Sequence, residues 1–304
     1  SIKSGFLIDT KEIENEFEKF KSKNFCYFLE HKKLDYISYP YEWGFYQLKE
    51  AALHHLKFQI FLLEKNATLI DSSAFNIQFI NNKPIFIDLL SIDKYVDGEY
   101  WKGHSQFLKQ FLNPLLLRSI KGISFNDWYK GNLDGIKTTE LNDLLSLKDK
   151  ISFNVFFSVV LLSRLEKQNT ENPKKALKKI DKKKLLSKNS YRGLLLQLKN
   201  WITKLEPLKK KTEWDSYSMC NTYEKEQENK KIEVVKKFTQ KIKPTLMADI
   251  GCNDGLYSFE SLKSGCQKAI GFDIDINSID RAFKRSKELN QKFLPLYFNA
   301  TNPS

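Results

Sequence analysis

The chain has 304 residues, of which 41% are hydrophobic and 13% aromatic, a composition typical of a folded protein and not of a disordered one. Its length allows two domains of ordinary size. The formal net charge is +13, but only five of the 50 basic residues are arginines. Arginine dominates base and phosphate recognition, and the densest lysine runs contain no aromatic residues for base stacking. The charge therefore argues against a nucleic-acid partner.

The remaining bulk features argue against a membrane or secreted protein. No uncharged apolar run approaches 18 residues, and the first residues show no charged and then apolar leader. The four cysteines are far apart and form no C-x-x-C pair, which excludes a cysteine zinc site of the usual spacing and fits reduced thiols. The sequence predicts a cytoplasmic protein with no membrane span and no metal site.

Residues 1–211 are predicted to form a mostly helical domain. The mixed charge of residues 11–31 predicts a helix, and apolar residues that recur every three or four positions predict a long helix over 46–65. The periodicity is again helical over most of 100–208. Between these helical regions, Asn81-Asn82-Lys83 separates two short apolar segments and predicts a β-hairpin at 76–89, because asparagine tolerates positive φ.

Beyond residue 211 the pattern alternates between strands and helices, as in a parallel α/β sheet. Residues 212–304 are therefore predicted to form a separate Rossmann-like unit, so that the whole chain is a two-domain protein of α/β and α+β class. The helix before the third strand is predicted to be capped by Asn277 or Ser278. The residues predicted to turn that helix toward the sheet are Ile279, Ala282, Phe283 and Leu289.

The loop after the first of these strands carries the most information. It contains Asp249, Gly251 and Gly255, and a helix is predicted to begin at once, so that glycines allow a sharp turn and a close approach by a ligand. A dinucleotide fingerprint would place a glycine where Asn253 stands. Asp249 would also face a pyrophosphate unfavourably, whereas it suits the cationic methionine end of S-adenosylmethionine. The loop therefore favours that cofactor over NAD.

The ends of the second and third predicted strands carry further candidate cofactor residues. The second strand ends at Asp273, twenty-two residues after Gly251, which is close to the spacing of about 20 at which a strand-end acid reaches ribose hydroxyls. The third strand ends at Asn299-Ala300, where an adenine ring would lie. Trp214, Tyr217 and Tyr223 precede the first strand and are candidates either for covering the cofactor or for packing between domains.

Together these segments resemble the class I S-adenosylmethionine-dependent methyltransferases over about residues 212–304. The resemblance implies that Asp249, Gly251 and Gly255 hold the methionine part, that Asp273 binds the ribose, and that Asn299 and Ala300 contact the adenine. Asn253 and Ile274 belong to the same predicted site. The family usually has Asp where Asn299 stands.

A complete sheet of that family needs about twice the residues that follow 211. The chain is therefore expected to be cut short within the methyltransferase domain, with the acceptor pocket absent and this fragment inactive alone. The methyl acceptor is not identified by the sequence.

A second group of residues lies in the helical domain. Asp71 and Asn76 have the spacing D-x-x-x-x-N, and Asp88 follows at the end of the predicted hairpin. This spacing resembles the catalytic loop and metal-binding Asp of protein-kinase-like phosphotransferases, in which the larger lobe is helical. No glycine-rich phosphate loop or strand-borne lysine precedes residue 70. The whole arrangement looks like a family of bacterial two-domain methyltransferases with a kinase-like N-terminal domain, loosely related to nodulation-type proteins.

Three functions remain open for the helical domain. It is either an ATP- and magnesium-dependent small-molecule kinase that uses Asp71, Asn76 and Asp88, or a non-catalytic kinase-like binding scaffold, or a domain in which these residues only cap turns.

Overall fold

The computed structural model describes residues 5–13, 27–171, 186–208 and 225–303. The lysine-rich run that begins at Lys174 lies largely outside these ranges, and so do Trp214, Tyr217 and Tyr223. In the part of the chain that is described, no helix is long and apolar enough to cross a bilayer.

A long helix, α1 (Phe45–Glu64), lies at the centre of the N-terminal part and confirms the helix predicted over 46–65. It is buried on several sides, so its apolar residues are accompanied by buried polar ones. These buried polar side chains form hydrogen bonds inside the protein. For example, Gln59 Nε2 donates to Thr68 Oγ1 and to the hydroxyl of Tyr191, each at 2.7 Å. The helix is therefore a core element and not an amphipathic surface helix.

The described residues of the N-terminal part also form three two-stranded antiparallel sheets. They pair β1 (Thr10–Glu12) with β2 (Leu29–His31), β3 (Ala67–Leu69) with β6 (Ile92–Lys94), and β4 (Ile77–Ile80) with β5 (Lys83–Phe86). The last pair confirms the predicted hairpin, and Asn81 in its turn has φ of 59°. The helix predicted over 11–31 is wrong at both ends, because Thr10–Glu12 and Leu29–His31 are extended strands that pair with each other. Residues 14–26 of that prediction lie outside the described ranges.

Most of the described residues from 104 to 204 are helical, as the periodicity predicted. The elements in chain order are α2 (His104–Phe107), α3 (Asn113–Leu116), α4 (Asn126–Gly131), α5 (Thr138–Leu144), α6 (Leu147–Lys150), α7 (Phe153–Val155), α8 (Leu162–Glu171) and α9 (Lys188–Lys204). Three π-helical segments, Leu108–Leu112, Leu117–Lys121 and Phe156–Leu161, connect α2 to α3, extend α3, and connect α7 to α8.

The C-terminal part begins with α10 (Lys225–Ile242) and continues as alternating strands and helices. These are β7 (Met247–Ile250), α11 (Leu256–Lys263), β8 (Ala269–Asp273), α12 (Ile276–Glu288) and β9 (Phe293–Tyr297). The three strands form one parallel sheet in the order β7-β8-β9, as the alternation predicted. The carboxyl ends of the strands therefore lie at one edge.

The two faces of this sheet pack against different partners. On one face Ala269 and Phe293 join a small cluster with residues of α11 and α12. On the other face Ile270, Leu294 and Leu296 belong to the same hydrophobic core as α1 and the hairpin. The N-terminal part therefore covers one side of the sheet, and a single core runs through both parts of the chain.

Where the N-terminal and C-terminal parts pack together, polar side chains of each part cap helix ends of the other. Asp280 of α12 is 5% exposed, and its Oδ1 accepts a bond from Tyr46 N in the first turn of α1, at 3.3 Å. In the other direction Asn82 of the hairpin donates to the carbonyl oxygens of Ser286 and Gln291 near the end of α12, at 2.9 and 3.0 Å. Each part thus supplies a polar side chain to a helix end of the other.

Candidate functional site

The loop after β7 adopts the sharp turn that its glycines predicted. Gly251, Asn253 and Gly255 have φ of 77°, 49° and 87°. The amides of Gly251 and Cys252 both donate to the carbonyl oxygen of Phe272, at 2.8 and 3.0 Å, which fixes the loop to β8. The turn then leads directly into α11.

The two glycines are needed for different reasons. A Cβ on Gly255 would lie 2.5 Å from the ring of Phe293, so this position is closed by packing. A Cβ on Gly251 would meet nothing within 4 Å, because this position borders the open cleft. Gly255 therefore supports the loop from behind, and Gly251 leaves space in front of it.

Asp273 lies at the end of β8 and organises the loop. Its Oδ2 accepts a bond from Asn253 N at 2.7 Å, and its Oδ1 accepts one from Asp275 N at 2.8 Å. A carboxylate has about four acceptor positions, so each oxygen keeps capacity for one further donor such as a ribose hydroxyl. Asp275 in turn caps α12 through Asn277 N and Ser278 N, which corrects the predicted cap at Asn277 or Ser278 by two or three residues.

Asp249 lies behind the loop and is half-buried. Ser258 of α11, which is fully buried, donates to Asp249 Oδ2 at 2.7 Å. Burial raises the pKa of Asp249, and the nearby Asp273 carboxylate raises it further, against the opposing effect of the Ser258 bond. A cationic ligand beside this pair would lower that pKa and would be attracted by both carboxylates.

These residues border an open cleft of about 450 Å³ at the carboxyl ends of the strands. Six of the eight predicted cofactor residues line it, namely Gly251, Asn253, Asp273, Ile274, Asn299 and Ala300. Of the other two, Asp249 lies behind the loop and Gly255 lies beneath it. The sequence did not single out four further lining residues, Ile250, Phe272, Phe298 and Thr301.

The two aromatic residues form one wall of the cleft. The ring centroids of Phe272 and Phe298 are 5.6 Å apart, and the two rings meet edge to face. The sequence indicates these two residues only by their position, because Phe272 lies at the end of an apolar strand and Phe298 directly follows one. An aromatic wall, a glycine loop and a strand-end acid together suit a nucleoside, and the cleft volume lies in the usual range for small-molecule sites. The residues present therefore fit S-adenosylmethionine.

The second predicted group is only partly brought together. Asn76 Nδ2 donates to Asp88 Oδ2 at 3.5 Å and to Ser91 Oγ at 3.2 Å. Ser91, which the sequence did not indicate, also donates to Asp88 Oδ2, while Asp88 Oδ1 accepts from Leu90 N. Asp71 instead accepts a bond from Ser73 N at 2.8 Å.

The bonds of Asp71 to Ser73 and of Asp88 to Leu90 and Ser91 are local turn caps. Asn76 instead joins Asp88 and Ser91 over 12 and 15 residues of sequence. Across the described ranges no three His, Cys, Asp or Glu side chains are grouped to hold a metal ion.

Part of the chain is similar in sequence to proteins named as methyltransferases. It is 35% identical over 88 residues to a tRNA U34 carboxymethyltransferase of Campylobacter lari (strain RM2100), which is 28% of this chain and 26% of that enzyme. Over its full 304 residues it is 40% identical to the nodulation protein NoeA of Rhizobium meliloti (strain 1021). The chain spans 64% of the length of NoeA.

Other comparisons are weaker. No protein-family model matches the chain. Among solved structures, the PH0226 protein from Pyrococcus horikoshii OT3 aligns with 31% of this chain and 46% of its own, at 22% identity and a TM-score of 0.25.

Proposed function

We propose that the C-terminal part of this chain binds S-adenosylmethionine and belongs to a methyltransferase that uses it as the methyl donor. The observation that supports this most directly is the cleft that gathers Gly251, Asn253, Asp273 and Asn299 at one edge of the parallel sheet. The similarity to a tRNA carboxymethyltransferase supports the same reaction class. The methyl acceptor is left open.

The cofactor supplies a methyl group made electrophilic by its sulfonium. The task of the protein is then to bind and orient, because in-line positioning provides much of the acceleration in such transfers. In the proposed site Asp273 accepts hydrogen bonds from the ribose hydroxyls. The carboxylates of Asp249 and Asp273 attract the positive charge of the cofactor. Phe272 and Phe298 exclude water from one side.

We assign the N-terminal part the role of a scaffold for this site and not of a kinase. Asp88 is engaged by Ser91, Asn76 and the amide of Leu90, so both of its oxygens already serve a turn. The same part buries one face of the C-terminal sheet. A scaffold role accounts for both observations, and we expect no magnesium-dependent turnover of ATP.

Calorimetric titration of S-adenosylhomocysteine into the 304-residue chain tests the proposal. We expect saturable binding, and no binding of NAD(H) at the same concentrations, because Asn253 replaces the glycine on which a pyrophosphate would lie. Binding of NAD(H) that S-adenosylhomocysteine displaces, or no binding of S-adenosylhomocysteine, would contradict the assignment.

A further inference from the structure

The loop that follows β9 has a defined internal structure. Asn299 Oδ1 accepts bonds from Thr301 N at 3.0 Å and from Thr301 Oγ1 at 2.7 Å. Asn302 N donates to the carbonyl oxygen of Asn299 at 3.1 Å. Because these bonds lie within the loop, they shape it without attaching it to the rest of the fold. They also occupy Asn299 Oδ1, so that the amide NH₂ of Asn299 is the group available to a ligand.

Phe298 N attaches the start of this segment to the carbonyl oxygen of Asp273 at 2.9 Å, and two further attachments come from α4, in the N-terminal part. Lys130 Nζ donates to the carbonyl oxygen of Asn302 at 3.0 Å, across 172 residues of sequence. The hydroxyl of Tyr297, the last residue of β9, donates to Asp127 Oδ1 at 3.3 Å. The bond to Tyr297 holds the chain before the loop, and the bond to Asn302 holds the end of the loop. The loop residues that line the cleft lie between these two points of attachment to α4.

α4 is itself firmly held. Asn126 is 1% exposed and donates to the carbonyl oxygens of Tyr41 and Trp43, at 2.8 and 3.0 Å. Tyr129, one turn along, is fully buried. Asp127 and Lys130 therefore project from a fixed base, as groups that position a ligand-binding loop need to do.

We propose that Asp127 and Lys130 are positioning residues of the cofactor cleft, which hold the loop Asn299–Asn302 where it can contact adenine. The inference rests on the proposed function and extends it, since it makes a helix of the N-terminal part a determinant of cofactor affinity. Neither residue is among those that line the cleft. Each acts through the loop.

The test compares variants of the 304-residue chain by calorimetric titration with S-adenosylhomocysteine. We expect Lys130→Ala to weaken binding about three- to tenfold, as the loss of one hydrogen bond that orders a site would do. Lys130→Arg restores the affinity, because a guanidinium can donate to the same carbonyl oxygen. Lys102→Ala is the matched control, since Lys102 is an exposed lysine that pairs with Glu99, three residues away, at 3.2 Å.

A double-mutant cycle distinguishes positioning from a general loss of structure. If Lys130 acts through the loop, Lys130→Ala should have little further effect in an Asn299→Ala background, with an unchanged thermal midpoint. Wild-type affinity in Lys130→Ala, or fully additive effects of the two changes, would overturn the inference while leaving the proposed function intact. A wild-type chain that binds no S-adenosylhomocysteine would overturn the proposed function and this inference with it.

Discussion

Asp273 combines two tasks in the proposed site, because it holds the glycine loop and also offers oxygens to a ligand. We expect Asp273→Ala to weaken S-adenosylhomocysteine binding by about ten- to 150-fold, which corresponds to losing a charge-assisted hydrogen bond of about 1.5–3 kcal/mol. Calorimetry measures the change.

Two further variants separate these tasks. Asp273→Asn keeps one acceptor oxygen and should lose less affinity than Asp273→Ala. Asp254→Ala removes a carboxylate of the same loop that does not line the cleft, and should bind as the wild type does. Equal affinity in Asp273→Ala and wild type would remove Asp273 from the site.

Gly255 should tolerate no side chain. Its φ of 87° opposes alanine, and so does the Phe293 ring, which would lie only 2.5 Å from an alanine Cβ at this position. We expect Gly255→Ala to lower the free energy of unfolding by about 1–3 kcal/mol, as strain and overpacking commonly do. Urea unfolding measures this.

Gly193→Ala is the matched control for that substitution. Gly193 lies inside α9, and a Cβ there would meet nothing within 4 Å. Alanine should therefore stabilise the chain by about 0.5–1 kcal/mol. A Gly255→Ala variant as stable as wild type would show that Phe293 can move aside.

At this scale the sequence predicted what depends on local backbone geometry. The sharp turn predicted from Gly251 and Gly255 is confirmed by their positive φ, because glycines at that spacing are a local signal. The positive φ of Asn253 and its bond to Asp273 were not predicted, and the ribose contact of Asp273 stays a prediction. Phe272 and Phe298 were not predicted as a wall, since an apolar residue at a strand end has no distinctive spacing. The cap at Asp275 was missed because Asp, Asn and Ser are nearly equivalent caps and all three occur within four residues.

At the scale of elements, two apolar stripes in the C-terminal part are exposed. Val234, Phe238 and Ile242 follow one face of α10 and are 54–66% exposed, while Leu246 and Ile250 follow one side of β7 at 41% and 66%. Among the described residues β7 pairs on one side with β8 and has no partner on the other. Exposed apolar surface beside such an edge favours association. We expect the 304-residue chain to self-associate, and Phe238→Ser with Ile250→Ser to reduce this in sedimentation velocity.

The control for that prediction is Leu90→Ser. Leu90 is 89% exposed but lies in the N-terminal part, away from both stripes. It should leave self-association unchanged. A chain that stays monomeric at all concentrations, or one that Leu90→Ser disrupts equally, would contradict the role of α10 and β7.

Elements with strong periodicity were predicted well, and those that depend on distant partners were not. α1, the hairpin and the β7-β8-β9 alternation each carry a local signal. The strands β1 and β2 were predicted as helix because mixed charge carries no strand signal and because their pairing, as of Thr10 with His31, joins residues that are not neighbours in sequence. Leu289 was predicted to face the sheet but is 47% exposed, since α12 ends at Glu288 and its periodicity stops there.

At the scale of the whole molecule, Asp280 connects pH to stability. Burial raises the pKa of Asp280 from 3.8 to about 7, although the amides of Tyr46 and Phe45, Arg118 and Lys284 favour the charged form. The folded chain therefore holds this proton more tightly than the unfolded chain. The free energy of unfolding should fall as pH rises from about 4 to about 7, by at most about 1.4 kcal/mol per pH unit.

Asp280→Asn provides the comparison, because its amide oxygen can still accept from Tyr46 N but cannot titrate. Urea unfolding of both proteins at about pH 5 and about pH 8, on either side of the Asp280 pKa, should show a smaller loss of stability in the variant. Parallel losses in the two proteins would exclude Asp280 as the source.

The contacts between the two parts were not predictable from the sequence. Asp280 and Tyr46 are 234 residues apart, and Asn82 and Ser286 are 204 apart, and nothing in either local pattern indicates the other. Composition and periodicity divided the chain near residue 211, whereas the hydrophobic core continues across that division.

The shared core also has a consequence for synthesis on the ribosome. Phe79 packs edge to face against Phe283 at 6.0 Å, and α1 belongs to the same core as Leu296. At a translation rate of about 5–20 residues per second, Phe283 is made about 10–40 s after Phe79. Throughout that interval the nascent N-terminal part exposes the apolar surface that β8 and β9 will cover, and we expect chaperones that bind apolar surfaces to hold it until β9 is made.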